Sequence, residues 1–258
     1  MDMRAEVWSP LQNTAVWLGA WLYHRESADA TLQALEELGG PVYVRHGEPG
    51  IELLRLIRDN AADDSELSPG ARPEPALRLI LSGPGDPPAL PAGTEAAEHV
   101  AANGAGGIVV RTADPDRHVV LAPEFHDGAT WWFAYEVAGR LPEPAWLSPG
   151  EANAVLSAAT EESAQLIEAS GQRKINAADA RLTVGTLADF YDTPGLPSCV
   201  PGRAAKLFAR ADRVAAIIET VTDRLGDHSL DPQLLRLWRH IRQARMAGVA
   251  YALSDFAR

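Results

Sequence analysis

Apolar residues recur at helical spacing in several stretches of the chain, and the residues that flank these stretches are typical of helix ends. Residues 9–12 and 148–151 each place serine at the cap, proline at the first helical position and a Gln or Glu at the third, which predicts a capping box. Ser27 predicts the start of another helix, which ends at the glycines and proline of residues 39–41. Two helices are therefore expected before any strand.

Short runs of β-branched and aromatic residues, separated by turn residues, predict the strands. The runs lie at residues 42–44, 76–81, 108–112, 118–122 and 130–137, with further helices at 50–60 and 94–102. Residues 113–117 have the composition of a hairpin loop, and residues 124–128 predict a second turn. Consecutive strands joined in this way predict an antiparallel meander.

Beyond residue 148 the pattern is mostly helical. Two long segments each keep their apolar residues within a narrow arc at 100° per residue, and a Gly-Asp-His sequence at 226–228 separates them. This predicts a helical hairpin of two long antiparallel arms. The predicted fold class is α+β. An acidic domain over residues 1–147 holds an antiparallel meander sheet with packed helices, and an all-α helical-hairpin domain covers residues 148–258.

The composition is that of a globular protein, with 258 residues, 46% of them hydrophobic and 22% charged. The single cysteine excludes an intrachain disulfide, which favours a cytoplasmic location. The strongest apolar run, at 15–23, is too short to cross a membrane.

Charge is unevenly divided along the chain. Residues 1–147 contain ten arginines, no lysine and 22 acids, which accounts for the whole net charge of −12, and residues 148–258 are balanced. Such an acidic surface repels phosphate backbones and anionic lipids, so nucleic acid is an unlikely partner and a membrane is not expected to be one.

The densest group of residues suited to proton transfer is Glu124, His126 and Asp127. An imidazole beside carboxylates can act as a general base or bind a divalent ion. The spacing matches no established ligand pattern, so neither a metal nor another cofactor is assigned. Acids in a turn also occur simply because they satisfy backbone donors.

Cys199 stands just before a predicted helix. The helix N-terminus and Arg203 would lower the pKa of its thiol if the sulfur faced them, which would make it a nucleophile. A single cysteine with no histidine nearby in sequence is more often a small buried apolar residue.

Four cations, Arg203, Lys206, Arg210 and Arg213, fall within one arc of about 80° on a predicted helix. They are expected to face carboxylates of the first domain or of a partner, with plain solvation as the alternative. Arg245 falls within an apolar arc, so it either has a carboxylate partner or extends its charged end to the surface.

Trp132 lies on the strand face opposite Trp131. If that face is open, Trp132 marks a partner-binding surface, and if a helix covers it, Trp132 belongs to the core. The number of helices to be placed favours the core.

No segment identifies a family, and whether the protein is an enzyme stays open. The pattern favours a binding or self-associating protein without catalytic activity, which acts through its helical arms. The alternative is a small-molecule hydrolase that uses the His/carboxylate cluster at the sheet loops, with or without a metal.

Overall fold

The chain folds as a mixed α+β protein, here as a computed structural model, with a six-stranded sheet and helices in both its first and last parts. The structure describes residues 10–62, 74–83, 86–143, 147–169, 195–225 and 231–258. At 163–164, 166–169, 219–225 and 231–234 it describes the backbone alone.

The helices of the first part are α1 (Pro10–Leu22), α2 (Ala28–Gly39), α3 (Ile51–Asn60) and α4 (Glu95–Asn103). The predicted start of α2 is confirmed, since the Ser27 hydroxyl accepts a hydrogen bond of 3.1 Å from the N–H of Ala30. Its predicted end is confirmed too. Gly40 adopts φ 75°, a conformation that favours glycine, and its N–H donates to the carbonyl of Glu36. The cap predicted at Ser9 lies outside the described residues.

The strands are β1 (Val42–Val44), β2 (Glu48–Pro49), β3 (Leu77–Ile80), β4 (Gly107–Arg111), β5 (Arg117–His126) and β6 (Ala129–Ala138), in the order β2-β1-β6-β5-β4-β3. Strands β3 to β6 form an antiparallel meander, but β1 runs parallel to β6. The sheet is therefore mixed, and the prediction of an antiparallel sheet is wrong at this pair. Thr130 is the reason, because its N–H and hydroxyl donate to the carbonyls of Pro41 and Gly39. These bonds bring the start of β1 beside the start of β6.

The turn between β5 and β6 is shorter than residues 124–128, so that prediction is also wrong. Asp127 and Gly128 have φ angles of 54° and 71°, and they alone connect the strands, with His126 opposite Ala129. An Asp-Gly pair at positive φ is typical of a type I′ hairpin turn. Glu124 therefore belongs to β5, where it lies opposite Trp131.

The sheet has two covered faces. On the inner face, Ile108, Leu121 and Trp132 belong to a core that also contains residues of α1, α3 and α7 (Asp231–Phe256). On the outer face, Val109 and Val120 pack against α4. Trp132 is 2% exposed. It is a core residue, and the partner-binding role considered for it is wrong because helices cover its face.

The last part contains α5 (Pro149–Ala169) and α6 (Gly202–Leu225) together with α7, and the three share one apolar core. The predicted capping box of α5 is confirmed. The N–H of Ser148 donates to Glu151 at 2.8 Å, and the N–H of Glu151 donates back to the Ser148 hydroxyl at 3.2 Å. The connection at 226–230 lies outside the described residues, so the hairpin stays a prediction. Among the helices described, none has both the length and the apolar character needed to cross a membrane.

The second half of α7 also packs against α1 and β3, which joins the last part of the chain to the first. Small residues allow the close approach. A Cβ added at Gly248 would lie 2.3 Å from the Phe208 ring, and one at Gly19 would lie 2.7 Å from Leu253. The domain boundary at 147/148 stays a prediction.

Candidate binding groove and sheet-face cluster

A groove of about 1540 Å³ lies along α6. Its described walls come from the start of α5, the first four turns of α6 and the end of α7. All four residues of the predicted basic arc line this groove: Arg203, Lys206, Arg210 and Arg213. The structure therefore places these four exposed side chains along one concave surface.

Within the described part of the chain, none of these four cations has a carboxylate oxygen within 4.0 Å. A fifth cation, Arg258, lies 3.5 Å from Asp255. The carboxylates among the described lining residues are Glu74 and Glu151. Hydrogen bonds from Ser148 to Glu151 lower the pKa of Glu151 and commit it to capping α5. The groove is thus locally cationic in an acidic protein.

Apolar side chains lie next to the cations. Leu207 and Val214 are buried at the groove, and Ile217 is 40% exposed there. Of these three apolar residues, Ile217 is therefore the one that the groove presents beside its charges.

A second group of polar side chains lies on the outer face of the sheet, under α4. The Tyr135 hydroxyl and Nδ1 of His99 share a hydrogen bond of 2.7 Å, and the Nε2 atom of His99 lies 3.2 Å from Glu124 Oε1. The second contact lacks the alignment of a hydrogen bond. We call Tyr135, His99 and Glu124 the sheet-face cluster.

The surroundings of the Tyr135 hydroxyl favour its protonated form. Burial raises the pKa of Tyr135, and Glu95 and Glu124 raise it further, against a smaller opposing effect of Arg45. The phenol therefore keeps its proton near neutral pH, and the tautomer of the imidazole determines which of the two groups donates in the Tyr135–His99 hydrogen bond.

Of the three residues predicted for proton transfer, the structure keeps two together at the hairpin turn. His126 and Asp127 are exposed, and their Nδ1 and Oδ2 atoms are 3.5 Å apart. The His126 ring stacks on Trp131 with 5.2 Å between centroids. Glu124 instead contacts His99, a residue that the sequence did not single out.

Cys199 is half-buried. Burial and Glu26 raise the pKa of its thiol, with only a smaller lowering by its own backbone hydrogen bond and by Arg25. This is the opposite of the shift that would activate a nucleophile.

Arg245 is 2% exposed, and its Nη2 atom donates a hydrogen bond of 2.7 Å to Asp212 Oδ1. The sequence left two alternatives for Arg245, a carboxylate partner or a charged end that extends to the surface, and the structure shows the carboxylate partner.

Among the described residues, no three His, Cys, Asp or Glu side chains lie together as a metal ion would require.

Comparison with known proteins gives matches along nearly the whole chain. The model of the Rv1486c-like protein N-terminal domain matches residues 12–146, and that of the C-terminal domain matches residues 150–246. Two similar proteins are the uncharacterised protein Rv1486c of Mycobacterium tuberculosis and the uncharacterised protein ML1804 of Mycobacterium leprae. They are 26% and 25% identical, over 96% and 94% of this chain and 98% and 97% of their own lengths. No solved structure matches.

Proposed function

The chain belongs to the Rv1486c-like family, and we propose that it is a binding protein that holds an anionic partner in the groove along α6. The proposal rests on the row of four exposed cations in the groove, none of which forms an ion pair with a carboxylate of the described residues. A concave surface lined by one sign of charge raises the local concentration of ligands of the opposite sign.

Binding, rather than catalysis, is the activity proposed for the groove. Its described lining contains no histidine or cysteine, the groups that most often supply a base or a nucleophile. An intracellular place of action belongs to the same proposal, since a single cysteine gives no disulfide framework.

A labelled poly-glutamate chain tests the proposal by fluorescence anisotropy with the full-length protein. We expect salt-sensitive binding that the double variant Lys206→Glu/Arg210→Glu loses. The double variant Arg55→Glu/Arg140→Glu is the matched control, because it changes the net charge equally at two exposed arginines away from the groove. Equal loss of binding in both variants would show that only net charge matters and would reject the groove as the site.

Self-association is the form of this proposal in which acidic residues of a second copy occupy the groove. It is supported by the division of charge, since the net charge of −12 comes entirely from residues 1–147 and the cationic row lies beyond them. Sedimentation velocity at low and high salt tests it with the same two double variants. A dimer that dissociates only in Lys206→Glu/Arg210→Glu supports self-association, and a wild-type monomer at every concentration excludes it.

A second candidate function is acid–base catalysis on a small molecule at the sheet-face cluster, favoured by the 2.7 Å hydrogen bond between Tyr135 and His99 beside Glu124. A histidine that shares a hydrogen bond with a hydroxyl and lies near a carboxylate can serve as a general base. Hydrolysis of p-nitrophenyl esters by wild type, His99→Gln and His126→Gln tests it. Activity that falls in His99→Gln alone supports this candidate, and equal rates in all three proteins reject it.

A further inference from the structure

The four cations of the groove follow a regular helical spacing. Positions 203, 206, 210 and 213 are separated by three, four and three residues, so they form a row along about 15 Å of α6. A partner that pairs with all four must present carboxylates at similar intervals along a straight line. An α-helix does this when its acids are three or four residues apart.

An exposed apolar side chain continues the row of cations. Ile217 lies four residues after Arg213, one turn further along α6, and 40% of its surface is exposed. Leu207 and Val214 beside the row are buried, so Ile217 is the one of these three side chains that a partner can cover. A helix with acids on one edge and an apolar side chain one turn further covers both features.

The size of the groove fits a polypeptide better than a small molecule. Pockets for small ligands enclose roughly 300–1,000 Å³, whereas this groove is open and has a volume of about 1540 Å³. Its row of cations matches the length of about ten helical residues.

We infer that the groove binds an acidic amphipathic helix of another protein, with its apolar side on Ile217 and its carboxylates along the cationic row. This inference rests on the proposed function and adds the conformation and the pattern of the partner. The charges attract the partner helix and fix its position along the row. Burial of Ile217 adds a hydrophobic contribution to the free energy of binding.

Synthetic peptides of about 18 residues, long enough to form helix in water, test the inference. The first has glutamates three and four residues apart on one edge and a leucine one turn beyond the last of them. A scrambled isomer has the same composition without the pattern, and unstructured poly-glutamate is the third probe. Binding to full-length protein is followed by fluorescence anisotropy, and circular dichroism shows that each variant is folded.

We expect the patterned peptide to bind at least about tenfold more tightly than its scrambled isomer, which corresponds to about 1.4 kcal/mol. Lys206→Glu/Arg210→Glu should lose this binding, and Ile217→Ser should weaken binding of the patterned peptide much more than that of poly-glutamate. Arg55→Glu/Arg140→Glu should bind as wild type does. Milder single variants, Lys206→Gln and Arg213→Gln, should each give a smaller loss and repeat the test without charge reversal.

The results separate the inference from the proposed function. Equal affinity for the patterned peptide, its isomer and poly-glutamate overturns the helical partner and leaves anion binding standing. Absence of binding to all three probes overturns both. A wild-type dimer that excludes the peptide and dissociates in Lys206→Glu/Arg210→Glu shows that a second copy is the occupant, which also overturns the inference.

Discussion

The guanidinium of Arg245 on α7 donates a hydrogen bond of 2.7 Å to the carboxylate of Asp212 on α6, within the packed interface of the two helices. The two ends of this pair differ in solvent access, since the side chain of Arg245 is 2% exposed and that of Asp212 is 41% exposed. Burial raises the pKa of Asp212 while the arginine lowers it, and burial lowers the pKa of Arg245 while the aspartate raises it. The pair therefore holds a charge inside the bundle that could not remain there without a counter-charge.

Removing the carboxylate should cost more than removing the guanidinium. In Asp212→Asn the buried arginine loses the charge of Asp212, and we expect a loss of about 2 kcal/mol in the free energy of unfolding, below the usual cost for a fully buried pair. In Arg245→Met the remaining aspartate can be hydrated, because it is partly exposed. Urea denaturation of both variants gives the comparison. A larger loss in Arg245→Met would mean that packing of the long side chain, not its charge, stabilises the interface.

A methyl group at position 248 should destabilise the contact between α6 and α7. The added Cβ would lie 2.3 Å from Cε1 of Phe208, which is 2% exposed and has little room to move. We expect Gly248→Ala to lower the free energy of unfolding by about 1 to 3 kcal/mol, despite the better helix propensity of alanine. The control is Gly202→Ala at the start of α6, where a Cβ would meet nothing within 4 Å. If Gly248→Ala is no less stable than the control, the close packing described here is incorrect.

Local signals predicted most of the elements, because each depends on residues near one another in sequence. The cap at Ser148 and the cap at Ser27 are examples. The Asp127–Gly128 turn also carried a local signal, since Asp-Gly between alternating apolar residues is typical of a two-residue hairpin. The prediction extended the turn back to Glu124, which the structure places in β5.

Contacts between distant positions could not be predicted in this way. The parallel β1–β6 pair depends on Thr130, which bonds to a carbonyl 91 positions away. The bond between His99 and Tyr135 spans 36 positions and needs α4 to lie across β6. The basic arc followed from periodicity alone, but its place in a groove depends on how α5 and the end of α7 pack beside α6.

A side chain at position 128 should strain the turn between β5 and β6. Gly128 has φ 71°, and a Cβ there would meet nothing within 4 Å, so the strain comes from the backbone alone. We expect Gly128→Ala to lower the free energy of unfolding by about 1 kcal/mol. Asp127→Asn should be nearly neutral, since asparagine also tolerates positive φ. Thermal unfolding of both variants checks this, and equal effects would argue against the two-residue turn.

The stability of the fold should fall in mild acid because of His118. Burial lowers the pKa of His118 from the usual 6.5, with smaller lowering by Arg78 and Arg111 against an opposing effect of Glu74. Above pH 6.5 the ring is neutral in both states, and its contribution to stability is fully present. As the pH falls below 6.5, the unfolded chain takes up the proton first, so this contribution is lost.

The variant His118→Leu should therefore show a flatter dependence of unfolding free energy on pH than wild type, with the two curves diverging below pH 6.5. His126→Gln is the control, because it removes a histidine whose side chain is 47% exposed. Urea denaturation at several pH values between about 5 and 8 measures the slopes. Parallel curves for wild type and His118→Leu would show that the buried imidazole is protonated equally in both states.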